Sequence, residues 1–338
     1  MGAPLRVLLV GGGGFIGSRV AEALLAAGHR VRVLTRGRSP LPPGCEGLVG
    51  DRTDAGSIAR ALEGRRFDLT VDFHAMDAGD IDRLLTVPYA ALGRYVMISS
   101  GQVYLVAEGA EPPFREEDAD RAVIAEPEPG TPDHDQWRYG VGKRRAEHAL
   151  AALRGTHGVR AVALRLPIVH GEADPSLRLW AWLERLLDGG PVLLPDGGGR
   201  PVRHLDVLDV GRAVTWLADH ETPRMMAYNL SPTESVSLRE LLERMARVAG
   251  VTPRFVEVPW SELRAAGLDD RSFPYAGRWA SVLDPARAAG EWGLLGTRIV
   301  EWLPRITRWY LEHRPEASHP GYAQRAIERE LGARLAGA

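Results

Sequence analysis

Leu5-Arg6-Val7-Leu8-Leu9-Val10-Gly11-Gly12-Gly13-Gly14-Phe15-Ile16-Gly17 decides the fold. Residues 5–10 are apolar except for Arg6 and read as a buried strand. Four glycines interrupt it, and from Phe15 the pattern turns helical through residue 27. A glycine-rich turn between strand and helix lets backbone approach a pyrophosphate, which the unpaired N–H groups and dipole of the helix N-terminus attract. The spacing Gly11-x-x-Gly14-x-x-Gly17 differs from the common dinucleotide fingerprint only in where the first glycine falls. Four glycines in a row also suit a plain flexible turn, but a strand before and a helix after favour the phosphate loop.

Outward from this loop, strand-like runs at 31–35, 48–49, 67–73 and 95–100 alternate with amphipathic runs at 56–62 and 81–92, with one strand-to-strand step after Thr35. Such alternation predicts an α/β fold, a doubly wound parallel Rossmann-type sheet with ligands at the carboxyl ends of its strands. A helix is predicted over 137–153 and a returning strand over 159–166. Beyond Gly171 the pattern loosens into helices, short strands and Gly-Pro turns, the mark of a smaller α+β domain. The expected division is a dinucleotide-binding domain at 1–170 with a returning segment near 206–230, a substrate-binding domain at 171–205 and 231–315, and a charged C-terminal helix at 316–338.

The chain has 338 residues, 45% hydrophobic and 25% charged, with a net charge of -2. That balance excludes a disordered tail and a strongly basic nucleic-acid binder, so no nucleic-acid partner is expected. Cys45 is the single cysteine and cannot form an intrachain disulfide. No run approaches the ~18 apolar residues of a membrane helix, and Arg6 stands where a myristoylation signal wants Ser or Thr, so the expectation is a cytoplasmic protein without a membrane anchor. A homodimer is compatible with this composition. Among 42 Lys plus Arg residues there is one lysine, Lys143. In so Arg-rich a chain, a retained lysine marks a position that needs an ammonium rather than a guanidinium.

Tyr139-Gly-Val-Gly-Lys143 places a phenol and that ammonium four residues apart on one helix face. A neighbouring cation lowers the phenol pKa from ~10 toward neutrality, so that Tyr139 can exchange a proton with a substrate hydroxyl or carbonyl. Ser99 and Ser100 end the strand at 95–100, where a hydroxyl can bond the same substrate oxygen. At the end of the 31–35 strand, Thr35-Arg36-Gly37-Arg38 offers cations where an acidic residue would select NAD, so NADP is the preferred cofactor, with NAD the alternative. Residues 107–136 form a long polar stretch, expected to close over the substrate. The Asp133-His134-Asp135 group within it reads as a solvated loop, and no metal site is expected.

Taken together, these motifs make the chain resemble the extended short-chain dehydrogenase/reductases, the NAD-dependent epimerase/dehydratase family. The resemblance implies a catalytic set of Ser100, Tyr139 and Lys143. It implies a cofactor site of Gly11, Gly14, Phe15, Ile16, Gly17 and Arg36, with Asp51 and Arg52 beside the adenine and His74, Ala75, Lys143 and Pro167 around the nicotinamide ribose. Gly101 and Gln102 stand where dehydratases of nucleotide sugars carry an acid pair; Ile168 and Val202 replace the Asn and Arg that serve a substrate nucleotide, with Arg200 or Arg203 as the alternative cation for that role. The implied activity is hydride transfer at a secondary alcohol or ketone carbon of a polar, sugar-like or natural-product small molecule, leaning to ketone reduction. A nucleotide-sugar epimerase is the second reading, and a non-catalytic RNA-binding or regulatory relative the third.

Overall fold

Alternating strand and helix signals become a seven-stranded sheet in which every neighbouring pair is parallel. The structure is a computed structural model that describes residues 3–38, 40–85 and 87–336. Its elements begin with β1 (Arg6–Val10), α1 (Phe15–Ala26), β2 (Arg30–Thr35), β3 (Glu46–Val49), α2 (Ala55–Leu62), β4 (Leu69–Asp72), α3 (Ala78–Leu84), α4 (Tyr89–Leu92), β5 (Arg94–Ser100) and α5 (Gln102–Leu105). Then follow α6 (Pro132–His157), β6 (Ala161–Leu166), β7 (Ile168–His170), α7 (Arg178–Leu187), β8 (Pro191–Pro195), β9 (Pro201–Val202), β10 (His204–Asp206), α8 (Val207–Asp219) and β11 (Ala227–Asn229). The chain closes with β12 (Val236–Ser237), α9 (Leu238–Ala249), β13 (Arg254–Val258), α10 (Trp260–Ala265), α11 (Ala286–Trp292), α12 (Ile299–Glu312) and α13 (Arg325–Ala336).

Strand order in the large sheet is β11-β6-β5-β4-β1-β2-β3, so the order reverses between β1 and β4. Dinucleotides bind at that switch point, outside the carboxyl ends of the strands. The strands are buried on both faces: Val7, Leu8, Leu9, Leu69, Val71 and Met97 have no exposed surface. That explains why they read as continuous apolar runs rather than alternating ones.

Two compact units emerge. The first comprises Met1–Pro167, Val207–Ser231 and Leu283–Gly296; the second comprises Ile168–Asp206, Pro232–Val282 and Thr297–Ala338. Residues 283–296, expected in the smaller domain, cluster with the first unit: Asp284 N–H bonds the Phe114 carbonyl at 2.8 Å, and the Asp284 carbonyl accepts from Asn229 Nδ2 at 3.0 Å. The C-terminal segment forms the expected charged helix, α13, and one of its faces packs into the second unit. On α13, Glu328 is fully buried in an ion pair with Arg185 of α7, and Leu331 joins the apolar core of the second unit. Charge in that helix pattern concealed a face that packs.

Two further differences concern helix ends. α6 starts five residues before the expected Trp137, because Thr131 caps it by accepting from His134 N–H at 3.2 Å and Pro132 occupies its first turn. The 81–92 run splits into α3 and α4 ahead of Pro88.

Candidate active site

The glycine loop is shaped by close approach. Gly11 has φ +80°, and a Cβ there would stand 1.8 Å from Cδ2 of His74, so the loop rests directly on the His74 ring. Gly17, on the first turn of α1, backs onto Gly12, whose Cα would lie 2.6 Å from a side chain at 17. On the open side the situation reverses. Around the Cβ positions of Gly13 and Gly14 the nearest atoms are Pro40 O at 3.9 Å and Gly11 O at 3.8 Å, and α1 has no side-chain cap at Gly14. This leaves space over an uncapped helix N-terminus, a cradle that fits a dinucleotide pyrophosphate beside Phe15 and Ile16.

Beside β1, on the same side of the switch point, β2 ends at Thr35 and leaves Arg36 and Arg38 exposed. Asp51 accepts from Thr53 N–H at 2.9 Å and Thr53 Oγ1 at 2.7 Å. Those bonds hold its carboxyl below the usual range, helped by the charges of Arg36 and Arg38. Its neighbour Arg52 faces a different way. The Arg52 guanidinium grips Asp72 at the end of β4 in a two-bond fork of 2.6 and 2.9 Å and donates to the Asp80 carbonyl at 3.1 Å. The pair expected beside the adenine therefore divides, with Asp51 at the rim and the Arg52 side chain committed inward.

β5 delivers Ser99 and Ser100 to the carboxyl edge. Ser100 is half-buried and its Oγ accepts from Gln102 N–H at 3.2 Å. Pro167 follows Leu166, the register partner of Ser100 on β6, and is buried beside it. From α6, Lys143 reaches the carbonyls of Ala75 and Ile98, both at 2.9 Å, and its Nζ lies 6.0 Å from the centre of the Tyr139 ring. Lys143 is 2% exposed. Burial pushes its ammonium down to about 8, opposed first by the Asp72 carboxylate and then by Glu147. Tyr139 stays at the surface, 36% exposed.

Sequence reasoning passed over why α6 comes so near. In the Tyr139-to-Lys143 segment, a Cβ at Gly140 would stand 2.7 Å from the Gln102 carbonyl, and one at Gly142 would stand 2.4 Å from the Met76 carbonyl. The two glycines let α6 press against α5, which follows Ser100, and against the 74–77 strap that carries His74 and Ala75. Missed as well is a buried polar set behind the site. Glu147, one turn beyond Lys143, accepts from Ser99 Oγ at 2.5 Å and from Arg165 Nη2 at 2.6 Å; Arg165 also donates to Tyr104 Oη at 2.8 Å. The available signals were a carboxylate four residues after Lys143 and an arginine inside an apolar strand.

The 107–136 stretch is not a free loop. Phe114, Glu116 and Ala119 are buried, Glu116 accepts from Asn229 N–H at 2.9 Å, and residues from Pro132 onward already belong to α6. Among the described residues no group of three or more His, Cys, Asp or Glu is arranged to hold a metal ion. His134 instead meets Glu126 at 2.9 Å. Nor is any described helix long and apolar enough to cross a membrane.

Comparison with known proteins agrees with this geometry. A family model described as the NAD dependent epimerase/dehydratase family matches residues 7–231. The 2'-dehydrokanamycin reductase of Streptomyces kanamyceticus is 30% identical over 287 residues, 83% of this chain and 77% of that protein. The chloroplast stem-loop binding protein of 41 kDa b from Arabidopsis thaliana is 25% identical over 261 residues, 72% of this chain and 63% of its own length. A UDP-glucose 4-epimerase from Thermotoga maritima, solved with UDP-glucose, has the same fold, with a TM-score of 0.72 at 18% identity over 92% of this chain and 100% of that one. Glycine loop, β5 edge and the Tyr139–Lys143 helix all fall inside the matched span, and the chain is an enzyme of the NAD dependent epimerase/dehydratase family.

Proposed function

We propose that this enzyme is a nicotinamide-dependent reductase of a polar, sugar-like or natural-product ketone, with NADP(H) preferred over NAD(H). The observation that carries the reading is the buried Lys143 ammonium beneath the Tyr139 ring, held by the backbone carbonyls of Ala75, in the strap after β4, and Ile98 of β5. When bound, the nicotinamide supplies the hydride. The chain supplies the rest. Tyr139 gives a proton to the carbonyl oxygen as it becomes a hydroxyl, Ser100 donates a hydrogen bond to the same oxygen, and the charge of Lys143 lowers the cost of leaving Tyr139 ionised. His74, Ala75 and Pro167 would line the ribose of the bound cofactor.

Net reduction is favoured over epimerisation of a nucleotide sugar because apolar residues stand at the two positions that serve a nucleotide in the family, and of the arginines flanking Val202, Arg200 is engaged by the Gly277 and Arg278 carbonyls at 3.1 and 3.0 Å. Ile168 opens β7, and Val202 is buried in β9 opposite Val236. Next to Ser100 stand a glycine and the buried carboxamide of Gln102, which bonds Gln136 at 3.0 Å, rather than an acid pair suited to elimination. The similarity to a reductase of 2'-dehydrokanamycin points the same way. The test is stoichiometry: NADPH oxidised per product formed, across polyhydroxylated ketones and UDP-sugars. One cofactor consumed per alcohol formed supports reduction; interconversion of sugars without net consumption supports epimerisation. Absence of turnover with salt-sensitive RNA retention would support a stem-loop binding role like that named for the Arabidopsis relative.

The cofactor preference rests on exposed Arg36 and Arg38 at the end of β2. Arg36→Ala is expected to weaken NADP(H) by roughly 10- to 100-fold, the worth of a charge-assisted bond, and to spare NAD(H). Titration of both cofactors checks it, and an equal loss for both contradicts it.

A further inference from the structure

β4 ends in a residue that its surroundings do not ask for. Asp72 lies between Val10 of β1 and Met97 of β5 at the centre of the sheet, without exposed surface, where an apolar side chain would pack. Burying a carboxylate there costs several kcal/mol before its partners are counted. The partners are numerous. Arg52 binds both oxygens, Tyr95 Oη donates to Oδ2 at 2.6 Å, and the His74 backbone N–H donates to Oδ1 at 2.8 Å.

That last bond starts a short strap. His74 rests under Gly11, Ala75 offers its carbonyl to Lys143, and the Met76 carbonyl abuts Gly142 of α6. Asp72 thus fixes the segment that receives Lys143. Lys143 itself contacts carbonyl dipoles at 2.9 Å, so its charge is balanced by carboxylates farther off. The charged and titratable groups facing it are Asp72 of β4, His74 of the strap, Arg52 after β3, Asp80 of α3, and Tyr139 and Glu147 of its own helix. Glu147 is engaged by Arg165, and Asp80 by Arg83 and the N-terminus of α3. The Asp72 carboxylate favours the Lys143 ammonium, and the Arg52 guanidinium opposes it.

We propose that Asp72 is a positioning residue for the reaction: gripped by Arg52 and bonded to the His74 N–H, it anchors the strap whose Ala75 carbonyl receives Lys143. The inference rests on Lys143 being the group that tunes Tyr139.

Because Lys143 is the only lysine, protein labelled with 13C at lysine Cε gives one side-chain resonance, and its titration reads this ammonium alone. In Asp72→Asn the midpoint is expected to fall by about one pH unit, and in Arg52→Gln to rise by several tenths, an opposite pair of shifts that loss of packing does not produce. The alkaline limb of the pH–rate profile should move with each. Unmoved midpoints, or two shifts of the same sign, overturn the proposal. Should Asp72→Asn fail to fold, Arg52→Gln decides alone, and a value unchanged or lowered counts against it. Tyr139→Phe separates this inference from the reading beneath it: retained turnover there refutes the catalytic assignment, while the lysine titration still judges Asp72.

Discussion

A guanidinium cannot take the place of the Lys143 ammonium. Two carbonyls, of Ala75 and Ile98, close on a single nitrogen at 2.9 Å each, and a planar fork is too wide for that socket. Lys143→Arg is expected to lower kcat at least 100-fold, the usual worth of acid–base assistance, while its circular dichroism spectrum stays native. Near-wild-type turnover would mean that the lone lysine is an accident of composition. This residue was legible in the sequence, because scarcity singled it out and the spacing to Tyr139 gave it a partner. Arg52 was legible only in part: its place after β3 could be read, whereas the direction of its side chain was set by Asp72, twenty residues on and brought near by strand pairing.

Helix α6 carries the site through what its glycines omit. A methyl group at 142 would press on the Met76 carbonyl at 2.4 Å, a backbone atom that cannot swing aside, so the helix or the strap must shift. Gly142→Ala is expected to destabilise the protein by about 1–3 kcal/mol, as overpacking does, and to cost activity out of proportion, since the shift separates Lys143 from Ala75. Thermal melts and kcat measured together check this; wild-type kcat in a destabilised variant would contradict it. At this scale the sheet strands were readable, since burial on both faces leaves apolar runs that flanking glycines and charges bound cleanly. The start of α6 and the ordered part of 107–136 were not. Thr131 and Pro132 sit in a polar stretch whose composition suggests a loop, and Phe114, Glu116 and Ala119 are held by β11 and by residues 283–284, partners far along the chain.

Taken whole, the molecule joins a unit whose alternating pattern announced it to a second whose cohesion did not show in the pattern. Within the second unit, His170 of β7 and His204 of β10 meet at 2.8 Å, fully buried beside the rings of Trp302 and Tyr275. Burial pushes both imidazoles down, His204 to about 3, so the folded state stays neutral where an unfolded histidine, near 6.5, takes a proton. Stability present above about pH 6.5 is therefore lost as pH falls, by about 1.4 kcal/mol per pH unit for each histidine until its folded pKa is reached. Melts between pH 7 and 4.5 should show this slope, and replacing both histidines with Phe should flatten it; an unchanged slope contradicts the account. In the proposed reaction Tyr139 protonates an oxygen on a carbon that the nicotinamide reduces, and label transfer follows that hydride. With NADPH deuterated at C4 and any ketone that turns over, the wild type should place deuterium on the new carbinol carbon, and Tyr139→Phe should bind NADPH equally well yet transfer at least 100-fold more slowly. Transfer by Tyr139→Phe at the wild-type rate, or product without deuterium, would contradict it.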